Sequence, residues 1–200
     1  MAEIKVKKEN PHKAEMEIAR KKTAKPLLWI GIVSIVMLFS GLTSAYVVRA
    51  DNGNWLVFQL PSIAIISTAI IVFSSFTIFL AQMAIKKNNF KATSWLLFIT
   101  FILGLAFTYT QYLGWKELTL QGIYFLGKYS NASGSFLYLI TIVHLLHLFG
   151  GLIALLITLT KSIKKSYNAQ DYLGIELAAI YWHFLDALWI YLFLFLYFFR

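Results

Sequence analysis

Cysteine is absent from all 200 residues. That removes disulfides, thiolate metal sites, Cys-x-x-Cys-His haem attachment and any cysteine-bound copper centre from this chain. It says nothing firm about redox compartment. Charge is also scarce. Asp, Glu, Lys and Arg together supply 14% of the residues, and 9 acidic residues stand against 18 basic ones. The chain carries only 4 histidines, so imidazole-based chemistry has few ligands to draw on. What is abundant is apolar surface, with 59% of residues hydrophobic. A soluble domain of this size does not need so much. Uninterrupted apolar runs of about 20 residues imply transmembrane helices instead.

Five such runs are legible, at about 27–48, 61–85, 95–115, 134–160 and 172–199. Each is long enough to cross roughly 30 Å of hydrocarbon at about 1.5 Å per residue. The expected fold is an all-α integral membrane protein, a five-helix bundle in residues 27–200 behind a basic tail in residues 1–26. The tail holds Glu3, Glu9, Glu15 and Glu17, too acidic for a signal peptide or a mitochondrial transit sequence. Its Lys13, Arg20, Lys21, Lys22 and Lys25 suit a partly helical cytoplasmic segment resting on anionic lipid.

Fourteen Lys/Arg fall on one side of these spans and four (Arg49, Lys116, Lys128 and Arg200) on the other. Cytoplasmic loops are the Lys/Arg-rich ones, so the N-terminus is expected inside and the C-terminus outside. The same topology explains the net charge of +9, so the basic excess does not predict a nucleic-acid partner.

Each early span carries small or polar residues that suit close helix packing: Gly31, Ser34, Gly41 and Ala45 in the first, Ser67, Ser74, Thr77 and Ala81 in the second, Gly104, Thr108, Gln111 and Trp115 in the third. Gln111 hints at more, because a buried amide needs partners for both its ends.

The fifth span is the unusual one. It places Glu176, His183 and Asp186 within an arc of roughly 80°, at about 100° per residue. Ionisable groups at bilayer depth cost at least about 2.5–3.5 kcal/mol and normally face a protein interior, water or a partner. Trp182 and Trp189 lie together on another side, suited to lipid or to another helix. Arg49, just after the first span, suits the same kind of contact. The fourth span gathers Thr141, His144, His147, Gly151 and Thr158 on about a third of its circumference. Three readings of these histidines compete. A zinc site would need more ligands, and the His-Glu-x-x-His pattern is absent because Leu145 follows His144. A haem b site would pair His144 or His147 with His183. Neutral histidines hydrogen-bonded across helices, or to a partner subunit, are the third.

The run Tyr181-Trp182-His183-Phe184-Leu185-Asp186-Ala187-Leu188-Trp189, with Glu176 upstream, resembles the signature of subunit III of haem–copper respiratory oxidases. Thr141-x-x-His144-x-x-His147-x-x-x-Gly151 resembles that family's preceding signature. Ser74-Ser75-Phe76-Thr77, Gly104-x-x-Phe107-x-x-x-Gln111, Ser40-Gly41-Leu42 and Ala45-Tyr46 with Arg49 are similar to further family segments. The resemblance covers about residues 27–200 and points to the five-helix bacterial form. It implies a non-catalytic core subunit in the bacterial cytoplasmic membrane, beside the catalytic haem–copper subunit I and other oxidase subunits. Such a subunit has no redox centre of its own, holds structural phospholipid, supports turnover and proton delivery, and can join a larger respiratory supercomplex. Haem and copper would reside in the partner subunits. The resemblance fails at two positions. Many members carry a glutamate directly after the serine matching Ser34, where this chain has Ile35. Many carry another three residues after the matching glutamine, where it has Gly114. Both losses argue against proton collection through those positions.

The expected arrangement is a polar interior seam in which Glu176, His183 and Asp186 pair with His144, His147 or Gln111 across spans three to five. Cytochrome c oxidase and quinol oxidase both remain open as the parent complex. In other classes, a haem b anchor and a small carrier coupled through Asp186 remain as alternatives.

Overall fold

The computed structural model describes residues 11–50, 55, 61–127, 130–165 and 167–199. Five helices make up the described chain: α1 (Pro11–Ala50), α2 (Ile63–Lys86), α3 (Phe90–Leu120), α4 (Ala132–Ile163) and α5 (Leu173–Phe198). All five are long and apolar enough to cross a membrane. Each expected span overlaps one of these helices; α1, α3 and α4 run past both ends of theirs, whereas α2 begins two residues late and α5 is one residue shorter at each end. Lysine-bearing turns simply continue the helix beyond the hydrocarbon.

The largest overrun is α1. It runs for 40 residues, and Pro26 lies inside it rather than ahead of it. An interior proline removes one backbone hydrogen bond and costs about 3 kcal/mol in an ordinary helix. Two tethers hold the upstream turns in place. Lys21 Nζ reaches Asp171 Oδ2 at 2.7 Å, and Lys25 Nζ reaches Glu176 Oε1 at 2.7 Å. Part of the tail read as lying on lipid is thus docked onto the start of α5. Residues 1–10 of that tail lie outside the described residues, as do Lys128 and Arg200.

Helices α2 and α3 form a tight antiparallel hairpin. Asn88 turns the chain at φ 54°, and Asn89 caps α3 by accepting from Ala92 N at 3.2 Å. Such a cap contributes about 1 kcal/mol. Asn88 Oδ1 also accepts from Ala169 N at 3.0 Å, which ties the α2–α3 turn to the α4–α5 loop. Four helices close a ring in which α2 meets α3, α3 meets α4, α4 meets α5 and α5 meets α2. Helix α1 lies outside the ring against α4 and α5.

This placement decides which small-residue stripes pack. In α2, Ser67, Ser74, Thr77 and Ala81 are all buried. In α3, Gly104 and Gln111 are buried, with Thr108 and Trp115 partly so. In α1 the stripe points the other way. Gly31, Ser34, Gly41 and Ala45 are exposed, and the helix packs through Ile32, Phe39, Thr43 and Tyr46 instead. The expected contact face of α1 is therefore corrected. A helix seated in the shallow groove between two neighbours fills it with large side chains, and no neighbour comes near enough to require small ones.

Candidate functional site

Helix α5 sits at the meeting point of the bundle, and its two tryptophans lock it to α2. Trp182 is fully buried, and its indole Nε1 donates to Ser74 Oγ at 2.9 Å. Seven residues on, Trp189 Nε1 donates to Thr68 Oγ1 at 3.1 Å. Between them His183 Nδ1 bonds Ser75 Oγ. From Trp182 to Trp189 the chain advances seven residues along α5 while the indole's partner steps back from Ser74 to Thr68 on α2, which is the register of an antiparallel pair. A buried indole N–H requires an acceptor, and α2 supplies hydroxyls at the matching heights. The lipid-facing option for Trp182 and Trp189 is corrected in favour of the helix-facing one.

The six-membered ring of Trp182 is gripped from two further sides. A Cβ built on Gly104 of α3 would lie 2.7 Å from Trp182 Cη2, and one on Gly151 of α4 would lie 3.3 Å from its Cε3 and Cζ3. One side chain of α5 thus contacts all three other helices of the ring. Trp189 continues the column, with its ring 4.9 Å from that of Phe107 and 5.3 Å from that of His144.

The polar residues expected in one seam take separate stations. Glu176 stands in the first turn of α5 and pairs with Lys25 of α1. Ten residues at about 1.5 Å each place it roughly 15 Å along the axis from Asp186, so a shared face does not make a shared cluster. Asp186 is 3% exposed. Ser75 lies close to it as well, but neither carboxyl oxygen has a hydrogen-bond partner among the described residues. His144 is fully buried with both ring nitrogens unpartnered among those residues. Its ring is walled by Phe39, Phe107 and Trp189 at centroid distances of 6.4, 6.1 and 5.3 Å. His147 turns back to its own helix, Nδ1 donating to Val143 O at 2.7 Å, while its carbonyl accepts from Tyr181 OH at 3.2 Å.

Gln111 lies beside a small cavity of about 40 Å³ that Gly114, Thr141 and Trp189 also line. Thr141 Oγ1 accepts from Trp115 Nε1 at 3.1 Å, a bond between α4 and α3. Arg49 stands in the last turn of α1. The expected pairing of Glu176, His183 and Asp186 with His144, His147 or Gln111 is therefore not what the hydrogen bonds show. The partners of α5 that matter are Lys25, Thr68, Ser74 and Ser75, on α1 and α2.

The donor set does not fit a metal or a haem. Among the described residues no three of His, Asp and Glu group as ligands. Three aromatic rings enclose His144, and His183 spends its Nδ1 on Ser75. These features define a multi-pass helical membrane protein whose observed side-chain hydrogen bonds join one helix to another.

Comparison with known proteins narrows that class. The family profile described as cytochrome c oxidase subunit III matches residues 54–200. A cytochrome c oxidase subunit 3 of Thermostichus vulcanus is 33% identical over 178 residues, covering 85% of this chain and 84% of the relative. A probable cytochrome c oxidase subunit 3 of Nocardia farcinica is 34% identical over 180 residues, covering 87% and 86%. One from Spodoptera frugiperda is 33% identical over 143 residues, covering 70% and 89%. This chain belongs to the cytochrome c oxidase subunit III family. It is accordingly a subunit of a multi-subunit haem–copper oxidase of the respiratory chain, and the haem and copper lie in other subunits.

Proposed function

We propose that this chain is the non-catalytic core subunit III of a proton-pumping terminal oxidase that reduces O2 to water with electrons from cytochrome c. It sits beside catalytic subunit I in a bacterial cytoplasmic membrane, N-terminus inside and C-terminus outside. The observation that carries the reading is the family match over residues 54–200, which contains α2 to α5 and the whole tryptophan-centred interior. The relatives' names support cytochrome c as donor, and the lysine-rich ends of α2 and α4 support the orientation.

In this reading the chain's work is mechanical. The α5–α2 clasp and the buried polar groups fix one register of the bundle, which then offers a rigid, lipid-retaining wall to subunit I and other partners, including those of a larger supercomplex. Gln111, Thr141, His144, His147, His183 and Asp186 hold the interior, and Glu176 holds α1. A relay role for them would need a connected chain of hydrogen bonds, and the bonds observed instead join single pairs of helices. Asp186→Leu tests this. The structural role predicts a lower yield or shorter lifetime of assembled oxidase with near-normal initial turnover. Full yield with a selective loss of proton pumping would refute it.

A further inference from the structure

The helix-to-helix bonds described above leave the amide of Gln111 unused. Gln111 is 8% exposed and stands about two and a half turns before the end of α3. Neither end of the amide has a hydrogen-bond partner among the described residues. It borders a cavity of about 40 Å³ inside the four-helix ring, and all four helices contribute to the wall. We propose that this cavity is a site for ordered internal water, held between the Gln111 amide and the hydroxyls of Ser67, Thr110 and Thr141.

The size fits water and little else. One internal water needs about 10–15 Å³, so about two or three fit, whereas small-molecule sites start at about 300 Å³. The hydrogen-bonding groups of the wall point the same way. Ser67 Oγ donates to Ala64 O at 2.9 Å, and Thr110 Oγ1 donates to Phe107 O at 2.7 Å. Thr141 Oγ1 donates to the carbonyls of Leu137 and Tyr138, at 2.9 and 3.0 Å. All three hydroxyl protons are thus committed to backbone carbonyls, and the hydroxyls offer the cavity lone pairs only. The Gln111 amide offers two N–H groups and a carbonyl. A ligand that answers both sets must donate and accept, and water does both. A diatomic gas cannot donate. An alkali cation would meet the amide N–H groups and no counter-charge, since no Asp or Glu lines the cavity among the described residues. A bare charge at bilayer depth is costly.

Gly114 makes the room. It lines the cavity three residues along α3 from Gln111, on the same face of the helix. A Cβ there would lie 3.3 Å from Ile63 Cγ2 in the first turn of α2. Any side chain at position 114 would therefore enter the space between α3 and α2. Protein interiors keep few voids larger than a water, and purely apolar ones stay dry. This one adjoins an amide with no other partner, and hydration removes the cost of burying that amide unpaired. Water there joins α2, α3 and α4 through Ser67, Gln111 and Thr141.

The site stands or falls without the oxidase reading, and two tryptophans of α5 provide a matched test. Trp189 is 4% exposed and lines the cavity; Trp182 is 0% exposed and does not. Hydroxyl radicals generated in place by an X-ray pulse oxidise a buried side chain only where water sits beside it. The full-length chain in mild detergent is pulsed, digested and read by mass spectrometry. Trp189 should be oxidised at least about fivefold faster than Trp182, because only Trp189 has a water neighbour. Gln111→Leu removes the amide at similar volume and should bring Trp189 down to the rate of Trp182, with Trp182 itself still protected. Gly114→Ala fills part of the cavity, keeps Gln111, and should lower the Trp189 rate at least about twofold. Equal rates for the two tryptophans in the unaltered chain would make the cavity dry and overturn the site. A Trp189 rate unchanged in Gln111→Leu, with Trp182 protected, would mean solvent leakage rather than bound water and would also overturn it. Replacing sodium and potassium salts by choline chloride should leave the Trp189 rate unchanged; a change would hand the cavity to a cation.

Discussion

Gly104→Ala should loosen the bundle, and Gly41→Ala should not. The added methyl at position 104 would fall 2.7 Å from Trp182 Cη2 and 2.8 Å from Leu152 Cδ2. Leu152 can rotate, but Trp182 cannot easily retreat. Its far side is in contact with Gly151, and its N–H is held by Ser74. Overpacking of this kind costs about 1–3 kcal/mol. A displaced indole also risks its hydrogen bond, worth about 0.6 kcal/mol on average between membrane helices. Alanine returns up to about 1 kcal/mol of helix propensity over glycine. The balance is a loss of about 1–2 kcal/mol. At Gly41 the same methyl meets nothing within 4 Å, so only the propensity gain remains. The two variants should then differ by about 2–3 kcal/mol, the sum of the opposed terms. Thermal unfolding of the full chain in one detergent, read by tryptophan fluorescence, measures that difference. Equal stability of the two variants would refute the claim that Trp182 is the rigid centre of the ring.

Other consequences can be measured in the same way. Ser74→Ala leaves the Trp182 indole N–H buried without its acceptor and should cost about 1–3 kcal/mol; Trp182→Phe in that background should recover part of the loss, and no recovery would deny the pairing. Lys25→Gln should cost at most about 1 kcal/mol, because its bridge to Glu176 joins half-exposed side chains; its clearer effect should be faster proteolysis of α1 upstream of Pro26. Tyr167, in the loop before α5, has its phenol pKa raised by burial, aided by the charge of Asp171 and opposed by a hydrogen bond from Thr158. Its folded form keeps the proton longer than its unfolded form. It therefore contributes stability that is full below about pH 10, the ordinary tyrosine value, and is lost as pH rises through the higher folded value. The alkaline decline in melting temperature should be shallower for Tyr167→Phe, and an unchanged pH profile would remove that contribution.

Much of the fold is visible in the amino-acid order, because a membrane span announces itself by length and apolarity. The ends of the helices are less visible. Hydropathy marks where hydrocarbon stops, while α1 continues through Pro26 and sets Lys21 and Lys25 against Asp171 and Glu176, partners 150 residues or more away. Face assignments failed where they relied on residue size alone. Gly31 and Gly104 look alike as letters, yet one faces open space and the other the ring of Trp182. The interior of α5 was legible as special but not as what it is. His183 and Asp186 drew attention as ionisable groups, whereas Trp182 and Trp189 carry the cross-helix bonds. The signal for them is present in the residue order: two tryptophans seven residues apart, and a second span with hydroxyls at 67, 68, 74 and 75 to receive them. The partner helix could not be read from periodicity, since spacing along one helix is silent about its neighbour.

The most direct test of the account is purification of the oxidase from its native membrane through a tag on this chain, followed by mass spectrometry and a reduced-minus-oxidised absorption scan before and after the chain is detached. The account predicts that a haem–copper catalytic subunit co-purifies, that the complex shows haem bands, and that the detached chain shows none. A haem band that travels with the isolated chain, or a tagged chain that brings down no haem–copper subunit, would contradict it.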